Sequence, residues 1–338
     1  MKLYGGIDLH SNNSVLVLID EEDRVIYEKR LRNDLALILR ELASYRKKLT
    51  GLVVESTYNW YWLVDGLMEA GYGVHLANTA AIQQYEGLKH TDDRHDARWL
   101  AHLLRLNILP EGYIYPKEAR AVRDLLRRRH RLVQQRVANL LSIQNQFARL
   151  GTNGFSAERL KRLQAAELEV LIADGNVRSA IAANLALVGV LNGEIARIER
   201  EVLAQVKLAA QFAPLMSVTG IGKILALTIM LETGEIGRFA KVGNFASYAR
   251  CVDSQRLSNG KKKGSNNAKC GNPYLAWAFV EAANFAIRYS PRVKRFFDRK
   301  CTKTNKIVAF KACAHKLARA AFHVMRDRVA FDEARAFA

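Results

Sequence analysis

Over its first 112 residues the chain alternates short apolar runs with polar turns. LYGGIDLH, SVLVLID and RVIYEKRL are separated by SNN and the acidic EEDR. Short runs rich in Val, Ile, Leu and Tyr and bounded by turn residues predict strands, here three within residues 2–30. Residues 33–48, NDLALILRELASYRKK, instead place apolar side chains at helical spacing. GLVVES is nearly all apolar, which predicts a strand buried on both faces. A helix around Trp62 to Ala70 and a strand at GVHLAN follow. TDDRHDARWLAHLLRL predicts a helix that opens on acidic residues, with Thr91 or Asp92 as its N-cap. The alternation of strands and helices predicts a mixed α/β layer.

Pro110 and Pro116 mark a boundary, after which the period turns helical. PKEARAVRDLLRRRHRLVQQRVANLLSIQNQFARL predicts one long helix with Pro116 near its first turn. A second long helical stretch is expected over residues 156–210, with a break near Gly175. Leu125, Leu132 and Asn139 follow a heptad only roughly, so the pair of helices reads equally as a dimerising stalk or a plain bundle. PLMSVTGIGKILALTIMLETG opens a third segment that ends in further helices, YLAWAFVEAANFAIRYS and KIVAFKACAHKLARAAFHVM. The expected fold class is α/β plus α, with domains at 1–112, 113–210 and 211–338.

Charge then narrows the partners. With 52 Lys and Arg against 33 Asp and Glu, the chain carries +19, which points to nucleic acid, whose condensed counterions such cations release. Cys251, Cys270, Cys301 and Cys313 form no C-x-x-C, so neither a zinc ribbon nor a redox pair is supported, and reduced cytoplasmic thiols are expected. MKLYGGIDLH starts directly on a strand, and no run of 18 apolar residues occurs, so no membrane partner is expected.

Four carboxylates stand out in the first domain. Asp8 lies within the first apolar strand, where an unpartnered carboxylate is costly, and Glu55 ends the fourth. Asp93 and Asp96 lie three apart at a helix start and share a face. In an RNase H-like sheet the first and fourth strands are neighbours, so all four would converge. Their repulsion calls for a divalent cation with a taste for oxygen ligands, Mg²⁺ or Mn²⁺. Asp92 reads as a complement to the helix dipole, and His90 and His95 as surface residues or DNA contacts.

The third segment offers phosphate-binding features. Gly220-Ile221-Gly222 with Lys223 reads as a helix-hairpin-helix turn able to hold a phosphate, or as a plain tight turn. Arg127, Arg128 and Arg129 are expected as further nucleic-acid contacts. In CVDSQRLSNGKKKGSNNAKCGN, Lys261, Lys262 and Lys263 lie between Gly260 and Gly264. A serine there, Ser254 or Ser258, is either an ordinary loop residue or a nucleophile beside a bound phosphate.

GIDLH, VVEST, KHTDDRHDARWLAHLLR, PLMSVTGIGKILALTIMLETGEIGRF, the SYARCVDSQRLSNGKKKG loop and KCGNPYLAWAFVEAA together resemble the DEDD/serine transposases of bacterial insertion sequences, a family of bridge-RNA-guided recombinases. The resemblance spans nearly the whole chain. It implies a RuvC-like domain, a coiled-coil middle and a C-terminal domain with a catalytic serine. It implies a Mg²⁺-bound tetrad of Asp8, Glu55, Asp93 and Asp96 and a 5′-phosphoserine intermediate on Ser258, with Ser254 the alternative where the loop departs from the family pattern. It also implies a structured guide RNA that pairs with donor and target DNA, and a dimer assembling to a tetramer in which the serine of one protomer meets the carboxylates of another. The chain departs from the family where Arg250 and Asp253 replace the usual glycine and proline, and where Asn259 separates the serine from Gly260. Two rival readings are a RuvC-like nuclease with no covalent intermediate and a non-catalytic nucleic-acid-binding protein.

Overall fold

The computed structural model describes residues 1–82, 92–152, 154–206, 209–254, 256–264 and 270–338. His90 and Thr91, the other expected N-cap, lie outside them. The chain forms two compact units, residues 1–117 and 118–338.

The first unit is a five-stranded sheet with helices on both faces. Its elements run β1 (Leu3–Leu9), β2 (Asn13–Ile19), β3 (Val25–Arg32), α1 (Leu35–Ala43), β4 (Leu49–Glu55), α2 (Tyr61–Glu69), β5 (Val74–Ala77) and α3 (Asp93–Arg105). The spatial order is β3-β2-β1-β4-β5. β1, β2 and β3 are antiparallel, and β4 and β5 run parallel to β1, as in an RNase H-like domain. Side chains alternate across the sheet. Ile7, Leu9, Leu16, Leu18, Leu52 and Val54 face the buried apolar side chains of α1 and α2. Val15, Val17 and Ile19 face Ala97 and Ala101 of α3. This double coverage explains the continuous apolar runs of β1, β2 and β4. β3, at the edge, exposes the charged side chains that keep such an edge from pairing with other chains.

Gly6 sets how closely α3 sits on β1. A Cβ there would fall 1.9 Å from the Ala97 carbonyl oxygen, so only glycine admits the helix at this distance. Asp92 starts α3 as its N-cap, with its side chain accepting from the His95 N–H at 2.9 Å. Close approach and cap together fix the first turn of α3, which carries Asp93 and Asp96.

The second unit begins with two long helices, α4 (Lys117–Arg149) and α7 (Gly175–Val206). Arg129 donates to Glu199 at 2.8 Å and Arg136 to Asn192 at 2.9 Å. As the number rises along α4 it falls along α7, so the helices are antiparallel. The expected stretch over 156–210 does restart at Gly175, where α7 begins, but it is broken further than the apolar period suggested. Ser156 caps the short α5 (Ala157–Leu160), Gln164 and Glu167 form a capping box on α6 (Ala165–Leu171), and Asp174 accepts from the Asn176 and Val177 N–H groups that begin α7. Three successive cap residues override the helical period. By length and composition alone α7 would also pass for a membrane-crossing helix, and 17% of that apolar stretch is buried in the fold. Much of the remainder is an open apolar face.

The lower halves of α4 and α7 join the core of α8 (Phe212–Met216), α9 (Lys223–Thr233), α10 (Val242–Tyr248), α11 (Pro273–Tyr289), α12 (Pro291–Lys303), α13 (Lys306–Asp327) and α14 (Glu333–Ala336). Leu126, Leu132, Ile195 and Val202 pack there with Leu227, Phe245, Phe279 and Phe322. The lysine-rich segment, read from sequence as a loop, forms a hairpin of β6 (Arg256–Ser258) and β7 (Lys261–Gly264). The four cysteines are free thiols.

Candidate active site

Register brings the first two carboxylates together. Ile7 of β1 pairs with Val54 of β4, so Asp8 and Glu55 follow side by side on the α3 face of the sheet. Asp8 is 4% exposed. Burial, then a hydrogen bond shared with Asp8, then the charges of Asp8 and Asp96, push the Glu55 carboxyl up to about 8. Burial and the Asp8 charge also raise Asp96. Asp93 is lowered, first by the hydrogen bond from Arg30 of β3. Asp8 thus shares a hydrogen bond with Glu55 and lies within charge reach of Asp96, while Asp93 turns toward Arg30 and Asp92 is spent as a cap.

His10 completes the cluster and was not singled out in the sequence. Its Nε2 lies 3.1 Å from Asp8 Oδ2 and 3.3 Å from Asp93 Oδ2. Its carbonyl oxygen accepts from the side chains of Asn33 and Asn59, both at 2.9 Å, which fixes the chain at the strand end. The available signal was spacing, since residues two apart along a strand point the same way. Asp8, His10 and Asp93 could hold a metal ion. The donor set fits a divalent cation: carboxylates held close enough to share a proton have the charge and the lone pairs to bind one instead.

Ser258 ends β6 and pairs directly with Lys261 of β7. Between them Asn259 (φ 50°) and Gly260 (φ 72°) make a two-residue turn with both central residues left-handed. Asn-Gly is the preferred pair for this type I′ hairpin, so the extra Asn259 is a turn residue rather than a disturbance of the segment. Ser258, Lys261 and Lys263 are exposed; the Lys262 side chain lies outside the description. Ser254 differs, since its Oγ is closed off from solvent and has no hydrogen-bond partner among the described residues.

The stems of this segment are held at a buried network. The Asn272 N–H donates to the Tyr248 carbonyl at 2.6 Å, and Arg250 Nε donates to the Gly271 carbonyl at 3.1 Å. The Asn272 amide donates to Glu232 at 2.7 Å, while its oxygen caps α11 by accepting from the Tyr274 and Leu275 N–H groups. Glu232, 4% exposed, accepts both Nε and an Nη of Arg127, at 2.6 and 2.7 Å.

The other expected nucleic-acid contacts diverge. Arg127 and Arg129 are engaged by Glu232 and Glu199, and only Arg128 of the three is exposed. These two carboxylates, remote in sequence, could not be paired with their arginines from spacing. Gly220 (φ 90°) lies against α11, where a Cβ would meet the Ala282 carbonyl oxygen at 2.2 Å, so only glycine fits this close packing. Gly222 and Lys223 stand open at the start of α9.

Residues 5–150 match the family model DEDD_Tnp_IS110, described as a transposase, and residues 213–298 match Transposase_20, the transposase IS116/IS110/IS902 family. The two matched stretches are thus both similar to transposases, the second to those of the IS116/IS110/IS902 family. It is similar to the "Probable family 20 transposase" of Pseudomonas aeruginosa, 24% identical over 84% of this chain and 83% of the relative. It is also similar to the "Transposase for insertion sequence element IS1111A" of Coxiella burnetii, 25% identical over 87% of this chain and 80% of the relative. Both matched models and both relatives are transposases, and the carboxylate cluster lies within the stretch that the first model matches.

Proposed function

We propose that this transposase is an RNA-guided recombinase that exchanges donor and target DNA strands through a covalent phosphoserine. The observation that carries the reading is Ser258, exposed beside a type I′ turn and directly across from Lys261, in a chain that also brings Asp8 against Glu55 and close to Asp93. Ser258 Oγ attacks a backbone phosphorus. The Oγ–P bond forms as the bond to the 3′ oxygen breaks, and the hydroxyl proton is balanced by one taken up at the 3′ oxygen. The 5′ phosphate stays on Ser258 until a 3′ hydroxyl from the partner strand attacks it and frees the serine. Phosphodiester number is conserved, so no energy-rich co-reactant is required. Lys261 supplies a cation beside the phosphate.

Asp8, Glu55, Asp93 and Asp96, with His10 beside them, would hold Mg²⁺, or Mn²⁺. When bound, the ion supplies positive charge for the phosphate oxygens. A structured guide RNA selects donor and target by base pairing, while the +19 charge holds phosphate backbones. One further support concerns assembly. Val137 and Leu141 on α4, and Leu187 and Val190 on α7, are exposed apolar residues at one level of the antiparallel pair. They form a seam for a second copy, dimers pair into tetramers, and the serine of one protomer works beside the carboxylates of another. The site of action is the bacterial cytoplasm, at the nucleoid.

The test is recombination between donor and target oligonucleotides by transposase purified with its own RNA, in Mg²⁺. Product should disappear on RNase treatment, with Asp8→Asn and with Ser258→Ala. If Ser258→Ala still nicks DNA and wild type never forms an adduct, the chain is a nuclease of the RuvC-like kind.

A further inference from the structure

The outer face of α12 carries none of the residues discussed so far. Ser290 starts this helix, its Oγ accepting from the Val293 N–H. Val293 and Phe297 are buried beneath it, and Phe296 and Phe297 pack on Phe337 and Phe310 at ring distances of 5.5 and 4.8 Å. PRVKRFFDRKCTK holds six Lys and Arg against one acid, Asp298, and Lys294 engages both oxygens of that acid.

What remains is a stripe. Arg292, Arg295, Arg299 and Lys303 recur at i, i+3, i+7 and i+11, which aligns them along one side of the helix. All four are exposed, and among the described residues no carboxylate is paired with any of them. The crowding extends to the neighbouring helix: Lys316 of α13 is lowered by burial and by the charges of Arg319, Arg299 and Lys300. Aligned like charges repel one another, and a surface gains from them when a polyanion neutralises them. At 1.5 Å per residue the stripe runs ~16 Å, about five nucleotide steps along one duplex strand at 3.4 Å each.

We propose that this face of α12 is a docking surface for the phosphate backbone of duplex DNA. The partner is a duplex rather than a single strand because α12 offers no exposed ring on which a base could stack; both of its phenylalanines pack inward. Four cations with no acceptor group among them read charge and not sequence. The surface is independent of which serine is the nucleophile.

The experiment measures binding of a labelled mixed-sequence DNA duplex to the full-length protein across a salt series. Arg292→Gln, Arg295→Gln, Arg299→Gln and Lys303→Gln are combined in one variant. A matched control removes four exposed cations elsewhere: Lys47→Gln, Lys48→Gln, Arg162→Gln and Arg200→Gln. The α12 variant should flatten the slope of log affinity against log salt by about one per residue, roughly 3 to 4 in all, equally for unrelated sequences. Its circular dichroism and melting should match wild type. The control should move the slope by less than about one. An unchanged slope in the α12 variant, an equal loss in the control, or a loss seen only with single-stranded DNA overturns the assignment.

Discussion

His10 Nε2 lies 3.1 Å from Asp8 Oδ2, which places an imidazole at the mouth of a carboxylate cluster. Nitrogen ligands suit Mn²⁺ better than Mg²⁺, which favours all-oxygen shells. His10→Ala should therefore weaken Mn²⁺ binding by about tenfold or more while changing Mg²⁺ binding less, as read by calorimetry. Equal losses for the two ions would remove His10 from the metal's surroundings.

The raised Glu55 carboxyl makes the metal-free protein sensitive to alkali. In the unfolded chain this group loses its proton near 4.5, and in the fold only near about 8. Between these values the folded state binds more protons, so stability falls as pH rises. The contribution is complete below the lower value and lost above the upper. Asp96 shifts the same way, whereas Asp93 is lowered and acts only at acid pH. Thermal unfolding in EDTA should show a melting temperature that declines over that window. Glu55→Gln should flatten the decline, and added Mg²⁺ should stabilise most at the alkaline end. A melting temperature that climbs through the window would contradict the assignment.

Arg127 and Glu232 test the anchoring of the serine segment. Arg127→Ala strands a buried carboxylate and should cost about 3–5 kcal/mol in denaturant unfolding. Arg127→Met combined with Glu232→Leu should cost less than the single change, since no charge is left unpaired. A double variant worse than Arg127→Ala would mean that Asn272, not the ion pair, dominates the site.

The hairpin turn gives a fourth handle. Gly260 has φ 72°, where a β-branched residue is strained by about 1–3 kcal/mol. Gly260→Val should cut covalent adduct yield tenfold or more while duplex DNA binding stays near wild type. Asn259→Gly keeps the turn and should keep the adduct. Loss of binding in step with adduct would show that the whole domain, not the turn, had been disturbed.

Much of the first unit was legible because strands buried on both faces announce themselves as apolar runs, and because Asp8 and Glu55 interrupt those runs at a cost. The Asp93 and Asp96 pair was legible from helical spacing. Other features were hidden for identifiable reasons. The Asn259-Gly260 signal was obscured by three lysines, and β6 and β7 are too short to show alternation. The breaks ahead of α7 come from local caps at Ser156, Gln164 and Asp174, which an apolar period does not register. Arg127 and Arg129 looked like a free basic cluster because Glu232 and Glu199 come from helices far along the chain.

Mapping the covalent bond tests the central claim most directly. Wild-type protein, its RNA, Mg²⁺ and donor and target DNA are quenched in mid-reaction, digested with nuclease and protease, and sequenced by mass spectrometry. The account predicts a nucleotide phosphate on Ser258, retained in Ser254→Ala and absent in Ser258→Ala. A phosphate on Ser254 or on any other residue, or recombination that persists in Ser258→Ala, would contradict it.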